Sequence, residues 1–144
     1  MFVADILKTK SADVISIGPE ATVDEAARLL TKHRIGAVVV LDDAGALVGV
    51  FSERDIIRGL AAEGAGALKR PVSRLMTREV VITAPDKSIA EVMQVMTERR
   101  FRHLPVVADG ALKGMISIGD VVKHRLVETE AEAQALRDYV LAGH

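Results

Sequence analysis

The sequence predicts an α+β fold in which a unit of strand, helix, strand, strand and helix occurs twice. Three observations predict it: the chain repeats itself, each copy carries a helix-start signature, and each copy carries two short apolar runs joined by turn residues. One such unit alone would bury too little apolar surface. We therefore expect two units with pseudo-twofold symmetry, packed together with clefts between the halves.

The repeat becomes visible when the segment at Ile17 is placed over the segment at Thr83. Apolar positions stay in register up to a gap of a single residue, and beyond the gap residues 49–55 match residues 114–120. Shared spacing on both sides of a gap is difficult to obtain by chance, so the chain is interpreted as a tandem duplication.

Each copy begins with a β-branched run, residues 14–17 and 80–83, which predicts a first strand. A capping box follows at Thr22–Glu25 and Ser88–Glu91, and it predicts the start of a helix because hydroxyl and carboxylate satisfy orphan amides there. The predicted apolar helix faces are Val23, Ala26, Ala27 and Leu30, and Ile89, Val92, Met93 and Met96. We expect these methionines to be core residues and not ligands.

Two further apolar runs in each copy are joined by turn residues and predict a hairpin. They are residues 37–41 with 47–51, and residues 104–107 with 112–116. A second helix is expected to open at Asp55 and at Asp120. The predicted boundaries are 7–64 for the first repeat, 65–75 for a linker, 76–132 for the second repeat and 133–144 for a C-terminal helical tail.

Residues 64–70 have a weak likeness to a phosphate-binding loop, and we reject that interpretation. The Walker pattern needs a glycine before the lysine and a hydroxyl after it, and Lys69 has neither. The composition of residues 59–71 predicts a linker. Residues 124–141 place apolar side chains among charges as an amphipathic helix does, and we expect it to pack on its own domain or on a partner.

The composition narrows the function classes. Cysteine is absent, which removes thiolate metal sites and thiol nucleophiles and suits a reducing compartment, so we expect a cytoplasmic protein. No apolar stretch approaches the roughly 20 residues of a spanning helix, so no membrane association is expected. The net charge is −1 and aromatics make up 3% of the chain, which argues against nucleic acid as a partner.

The matched segments each end with a serine and an aspartate at a predicted junction of strand and helix: Ser52 with Asp55, and Ser117 with Asp120. A hydroxyl delivered to a helix N-terminus suits phosphate, and a carboxylate suits two vicinal ribose hydroxyls. Helix capping is the alternative explanation, and it would suffice for a single copy. The presence of two matched copies favours a nucleotide.

With these segments the chain resembles paired CBS-domain proteins (cystathionine beta-synthase domain, or Bateman module) of the stand-alone bacterial type, over nearly its whole length. The resemblance implies that Ser52 and Ser117 contact phosphate, and that Asp55 and Asp120 contact the ribose of an adenosine compound. It also implies adenine contacts from Ile17, Gly36 and Ala37 in one cleft and from Thr83, His103 and Pro105 in the other. A disc-like homodimer of four repeats is implied as well.

The two sites are expected to be unequal. Arg54 offers a guanidinium to phosphate within the first motif, whereas its counterpart in the second motif is Gly119. The second site would therefore use Arg102 or Lys123.

The four histidines and one basic segment have simpler explanations. His33 is expected to be a surface residue near a helix end, and His124 and His144 are expected to be exposed. For His103 a packed imidazole and a ligand contact are both open. Residues 98–102 are explained as a solvated helix end with some attraction for phosphate.

The predicted function is a non-catalytic regulatory sensor that binds an adenine nucleotide (AMP, ADP, ATP or NAD(H)), possesses no output domain, and signals cellular energy state to a separate, unidentified protein. The chain has no metal-binding histidine pair and no recognisable nucleophile, base and acid grouping. Two alternatives stay open: an interaction scaffold with degenerate clefts, and a weak nucleotide hydrolase that uses Asp55 or Asp120.

Overall fold

A computed structural model describes residues 1–10 and 14–143. In chain order the elements are α1 (Val3–Thr9), β1 (Ser16–Ile17), α2 (Val23–His33), β2 (Ala37–Leu41), β3 (Leu47–Ser52), α3 (Glu53–Glu63), α4 (Ile89–Arg99), β4 (His103–Ala108), β5 (Ala111–Ser117) and α5 (Ile118–Leu141). Two short 3₁₀ segments, Gly64–Lys69 and Val72–Arg74, follow α3. The predicted α+β class and both hairpins are confirmed, and α1 is an additional helix that the predicted element order did not contain.

The chain forms two compact units. The first-repeat unit is Asp13–Val81, and the second-repeat unit combines Met1–Ala12 with Ile82–His144. The start of the chain, before the first-repeat unit, thus belongs to the second-repeat unit.

In the first-repeat unit, the three strands form one sheet in sequence order. β1 pairs parallel with β2, and β2 pairs antiparallel with β3. Four consecutive residues of β2 are buried, as expected for a central strand covered on both faces. The core consists of Val23, Ala26, Leu30, Val38, Val40, Phe51, Val72 and Met76.

In the second-repeat unit, the predicted strand over residues 80–83 is wrong. Only Thr83 forms a bridge, to Val106, with its amide donating to the Pro105 carbonyl at 2.9 Å. The first-repeat unit has two such bridges, and the residue equivalent to Val39 is Pro105. Because proline has no amide hydrogen, the second bridge cannot form.

The two predicted capping boxes are confirmed. In α2 the Glu25 amide donates to Thr22 Oγ1 at 3.1 Å, and in α4 the Glu91 amide donates to Ser88 Oγ at 3.0 Å. The predicted helix faces point into the cores, where Met96 is buried and Met93 is half-buried. Each helix then ends in a left-handed residue, Arg34 or Arg100.

Short segments that precede the repeats dock on each unit in equivalent ways. The Val3 amide donates to the Lys87 carbonyl at 2.9 Å in the second-repeat unit, and the Val72 amide donates to the Ala21 carbonyl at 2.7 Å in the first. Val72 is fully buried. The predicted linker therefore contributes to the core of the first-repeat unit.

A glycine makes room for each docked segment. A Cβ on Gly49 would lie 2.7 Å from Met76 Sδ and 3.0 Å from the Thr77 carbonyl oxygen. A Cβ on Gly114 would lie 2.8 Å from Leu7 Cδ2. The shared glycine of the two repeats thus has a packing function.

The last helix, α5, continues through both the predicted second helix and the predicted tail without a break. Its first turns contact α4 and α1, and Val121 is buried. Every residue from Thr129 to Gly143 is exposed. Within the described residues, no helix is sufficiently long and apolar to span a bilayer.

Candidate functional site

The two serine and aspartate pairs lie where the last strand of each hairpin passes directly into a helix. Ser52 ends β3 and is the N-cap of α3, and Ser117 ends β5 and is the N-cap of α5. Each aspartate is then the third residue of its helix and lies in the first turn. We call these places the first and the second corner.

At the first corner the carboxylate of Asp55 is enclosed. The residue is only 2% exposed, and its Oδ2 accepts the Ser52 amide at 2.9 Å and the Ser52 hydroxyl at 3.3 Å. Its Oδ1 accepts the Arg58 guanidinium and, at 3.4 Å, the Thr77 hydroxyl. Both oxygens are therefore occupied by groups of the same unit, as buried charge requires.

At the second corner the carboxylate of Asp120 is more open, with its side chain 25% exposed. Its Oδ2 accepts the Ser117 amide and Lys10 Nζ, both at 2.8 Å. The Asp120 amide donates to Ser117 Oγ at 3.1 Å, which completes a capping box. Lys10 Nζ also donates to the Met115 carbonyl at 2.8 Å, so it lies over the end of β5.

The pKa of Asp120 reflects this environment. Partial burial disfavours the charged carboxylate, but the hydrogen bond from Lys10 and that from the Ser117 amide outweigh it and hold the pKa below its ordinary value. Asp120 is therefore ionised at neutral pH, in the acceptor-only form that two hydroxyl donors need.

The residues implied for adenine lie at different distances from the corners. Ala37 pairs with Ser52, and the Gly36 carbonyl accepts the amide of Glu53 at 3.0 Å, so both adjoin the first corner. Ile17 pairs with Val40, further along the same sheet.

The second corner has the same arrangement. His103 pairs with Ser117, and the Arg102 carbonyl accepts the Ile118 amide at 2.8 Å. Thr83 lies further along, where its amide bonds to buried Pro105.

The cations expected to bind phosphate are not the ones that bond to the carboxylates of Asp55 and Asp120. Arg54 lies in the first turn of α3, Arg102 directly before β4 and Lys123 in the second turn of α5, and all three residues are exposed. The cations that do reach the carboxylates are Arg58 and Lys10. Sequence reasoning missed both, although Arg58 is detectable as the residue one helical turn after Asp55.

Two cavities adjoin implied adenine residues. One of about 370 Å³ lies in the second-repeat unit and includes Thr83 in a mostly aliphatic lining. Another of about 320 Å³ lies in the first-repeat unit, and its lining includes Gly36, Arg34 and Glu53. Neither cavity is lined by a corner carboxylate.

The histidines mostly follow the sequence expectations. His33 is exposed and is the last residue of α2. The exposure expected for His124 is wrong, because it is half-buried and its Nδ1 lies 3.0 Å from the Asp120 carbonyl oxygen, one turn back in α5. His103 is half-buried, and His144 lies outside the described residues. In the basic segment, Arg99 lies 6.0 Å above the Phe101 ring.

Comparison with known families agrees with the repeat. The family model of the CBS domain matches the chain twice, at residues 3–62 and 72–127. This chain belongs to the CBS-domain family. It is 35% identical to the mitochondrial CBS domain-containing protein CBSX3 of Arabidopsis thaliana, over 99% of this chain and 73% of that protein.

Solved structures of CBS-domain proteins have the same fold. A CBS-domain containing protein from Agrobacterium tumefaciens is 47% identical, with a TM-score of 0.84, over 86% of this chain and 92% of that chain. CBSX2 in complex with AMP is 28% identical with a TM-score of 0.75, over 87% of this chain and 96% of that one. The CBS domain pair of protein MJ0100, in complex with methylthioadenosine and S-adenosylmethionine, is 28% identical with a TM-score of 0.77, over 90% of this chain and 98% of that one.

Two relatives with this paired CBS fold are therefore known with adenosine compounds bound.

Proposed function

We propose that this chain is a non-catalytic sensor that binds an adenine nucleotide such as AMP, ADP, ATP or NAD(H) and signals to a separate protein. The observation that carries the proposal is the second corner, where a hydroxyl and an ionised, partly exposed carboxylate stand together at a helix start. Two CBS pairs of the same fold bind adenosine compounds, which supports the same ligand class for this chain.

The chemistry of the corner suits a sugar phosphate. The first turn of α5 presents the positive end of the helix dipole, which favours an anion near Ser117. The carboxylate of Asp120 provides two acceptor oxygens, and vicinal ribose hydroxyls provide two donors. Lys10 already lies at this carboxylate and can turn toward a phosphate.

We propose that the two corners differ in how easily their aspartate can accept a ribose. Asp120 can accept a ribose once Lys10 moves, because the bonds from Lys10 and from the Ser117 amide both go to its Oδ2. Asp55 would have to release Arg58 and Thr77 and become exposed. We therefore expect the second corner to bind the nucleotide more tightly.

Isothermal titration calorimetry with AMP, ADP, ATP, NAD(H) and S-adenosylmethionine tests the proposal. Replacing Asp120→Ala should weaken binding by about 1.5 to 3 kcal/mol, the range for hydrogen bonds to a charged group. Glu91→Ala is the matched control, since it removes an equivalent capping carboxylate in the same unit, 2.9 Å from the Ser88 amide.

Equal affinities in the wild type, Asp120→Ala and Glu91→Ala would overturn the assignment of Asp120. The interaction scaffold predicts instead that none of these nucleotides binds. The hydrolase predicts that ATP incubated with the pure protein yields product, whereas the sensor predicts binding without turnover. In the described part of the chain, no group of three acidic or histidine side chains could hold a metal ion.

We also propose a homodimer in the cytoplasm. The absence of cysteine suits a reducing compartment. The equivalent helices α3 and α5 each expose apolar side chains: Ile57 and Leu60 on the former, Val122 and Leu126 on the latter. Exposed apolar faces on equivalent helices suit a twofold interface, which light scattering can detect.

A further inference from the structure

The C-terminal part of α5 is a helix without an obvious source of stability. We define the arm as residues 129–141, all of which are exposed. An isolated helix of roughly 12 to 15 residues is marginal in water, because most helical stability in proteins comes from packing one face. The arm exposes Leu136 and Val140 at 64% each, so an apolar face is available for a partner.

The apolar residues of α5 follow a heptad repeat. The alternating spacing of four and three residues runs through Val122, Leu126, Thr129, Ala133, Leu136 and Val140. In a coiled coil these are the a positions (126, 133, 140) and d positions (122, 129, 136) that form the seam between two helices. Val122 and Leu126, just before the arm, are 44% and 60% exposed.

The charges beside this seam are complementary when a second copy of the same helix packs in parallel orientation and in register. In a parallel pair, each g residue faces the e residue five positions later on the partner. Arg125 then meets Glu130, and Glu132 meets Arg137, so both contacts join opposite charges. Within one chain the Arg125 guanidinium forms an ion pair with Glu128, and its Nη1 lies 3.9 Å from Glu132 Oε1.

The antiparallel alignment with the longest overlap, over residues 122–140, would bring like charges together. This alignment places residue 129 opposite residue 133 of the second copy, whereas a shift of one heptad would leave Val122 and Leu126, or Leu136 and Val140, without a facing seam residue. It also places Glu130 opposite Glu130, Glu132 opposite Glu132, and Lys123 opposite Arg137. Like charges across such a seam are destabilising.

From this complementarity we propose that the arms of two copies of this chain pair as a parallel coiled coil. The weak seam residues Thr129 and Ala133 lie in its middle, so the arm acts together with the remaining interface and sets its orientation. The proposal concerns assembly alone and does not require nucleotide binding.

Cross-linking of the full chain tests the orientation, and the natural absence of cysteine makes each introduced thiol unique. Val140→Cys places a thiol on the seam, and Asp138→Cys places one on the outer face, where Asp138 accepts a bond from Gln134. With oxidised glutathione and no nucleotide, we expect disulfide-linked dimer from Val140→Cys and little from Asp138→Cys. Equal yields would overturn the proposal, as would no cross-link from either variant.

Charge reversal tests the pairing itself. Glu132→Arg and Arg137→Glu each turn two attractive contacts of the dimer into two repulsive ones, and each should raise the dimer dissociation constant about tenfold or more. The double variant exchanges the charges and should return to within about threefold of the wild type. Sedimentation velocity measures the dimer dissociation constant of each variant. A monomeric wild type, or single variants that dimerise like the wild type, would overturn the proposal while leaving the nucleotide titrations unaffected.

Discussion

At the scale of single residues, the equivalent aspartates of the two corners have different environments. Asp55 and Asp120 occupy equivalent positions, yet the first is buried against Arg58 and the second is partly exposed beside Lys10. The residue equivalent to Arg58 is Lys123, yet the cation bonded to Asp120 is Lys10. Neighbours, and not the motif, therefore determine how accessible each carboxylate is.

The contact between Lys10 and Asp120 makes a pH-dependent contribution to stability. Because Lys10 helps to lower the folded-state pKa of Asp120, the contact stabilises the fold above the unfolded-state pKa of about 3.9 and is lost as the pH falls through the lower folded-state value. Lys10→Met should cost about 0.5 to 1 kcal/mol at pH 7, a range that allows for the partial exposure of both side chains.

Urea unfolding of the wild type and Lys10→Met at pH 7 and at pH 3 measures this difference. The difference in the free energy of unfolding between the two proteins should be smaller at pH 3 than at pH 7. Lys8→Met is the control, because Lys8 is 77% exposed and lies 3.8 Å from Asp5, so it should be nearly neutral. A difference for Lys10→Met that stays constant with pH would refute the coupling.

At the scale of elements, each unit is completed by a segment that precedes the other repeat in sequence. α1 docks on the second-repeat unit, and residues 72–77 dock on the first. The Thr77 amide donates to the Val50 carbonyl at 2.9 Å, and the Val50 amide donates to the Thr77 carbonyl at 3.0 Å. These segments also carry Lys10 and Thr77 to the corners.

Gly49→Ala should destabilise the first-repeat unit by about 1 to 3 kcal/mol, the usual cost of overpacking. The added methyl would meet Met76 and the Thr77 backbone, and backbone cannot yield as a side chain can. Gly18→Ala is the matched control, since nothing lies within 4 Å of its added Cβ. Thermal unfolding of the two variants compares them. Equal midpoints would show that the segment docks loosely.

At the scale of the whole molecule, the chain contains two similar units, each with its own core and its own corner. A sensor needs two states with different affinity for the ligand, because a ligand that binds both states equally shifts nothing. The exchange of Lys10 for a ribose at Asp120 would supply such a difference at the second corner. In the proposed function, this exchange is the change that a separate partner would detect.

Local patterns in the sequence predicted much of this fold. The capping boxes at Thr22 and Ser88 and both hairpins depend on residues close in sequence, and they are confirmed. The missing strand before Thr83 could also have been foreseen from Pro105. The contact of Lys10 with Asp120 could not, because the two residues are 110 positions apart and no periodic pattern links them.

A crystal structure of the full chain grown with excess AMP tests the central claim most directly. The account predicts ribose hydroxyls within hydrogen-bonding distance of the Asp120 carboxylate, phosphate near Ser117, and Lys10 moved off the carboxylate toward the phosphate. AMP bound elsewhere, or Asp120 still held by Lys10 with no nucleotide at the second corner, would contradict it.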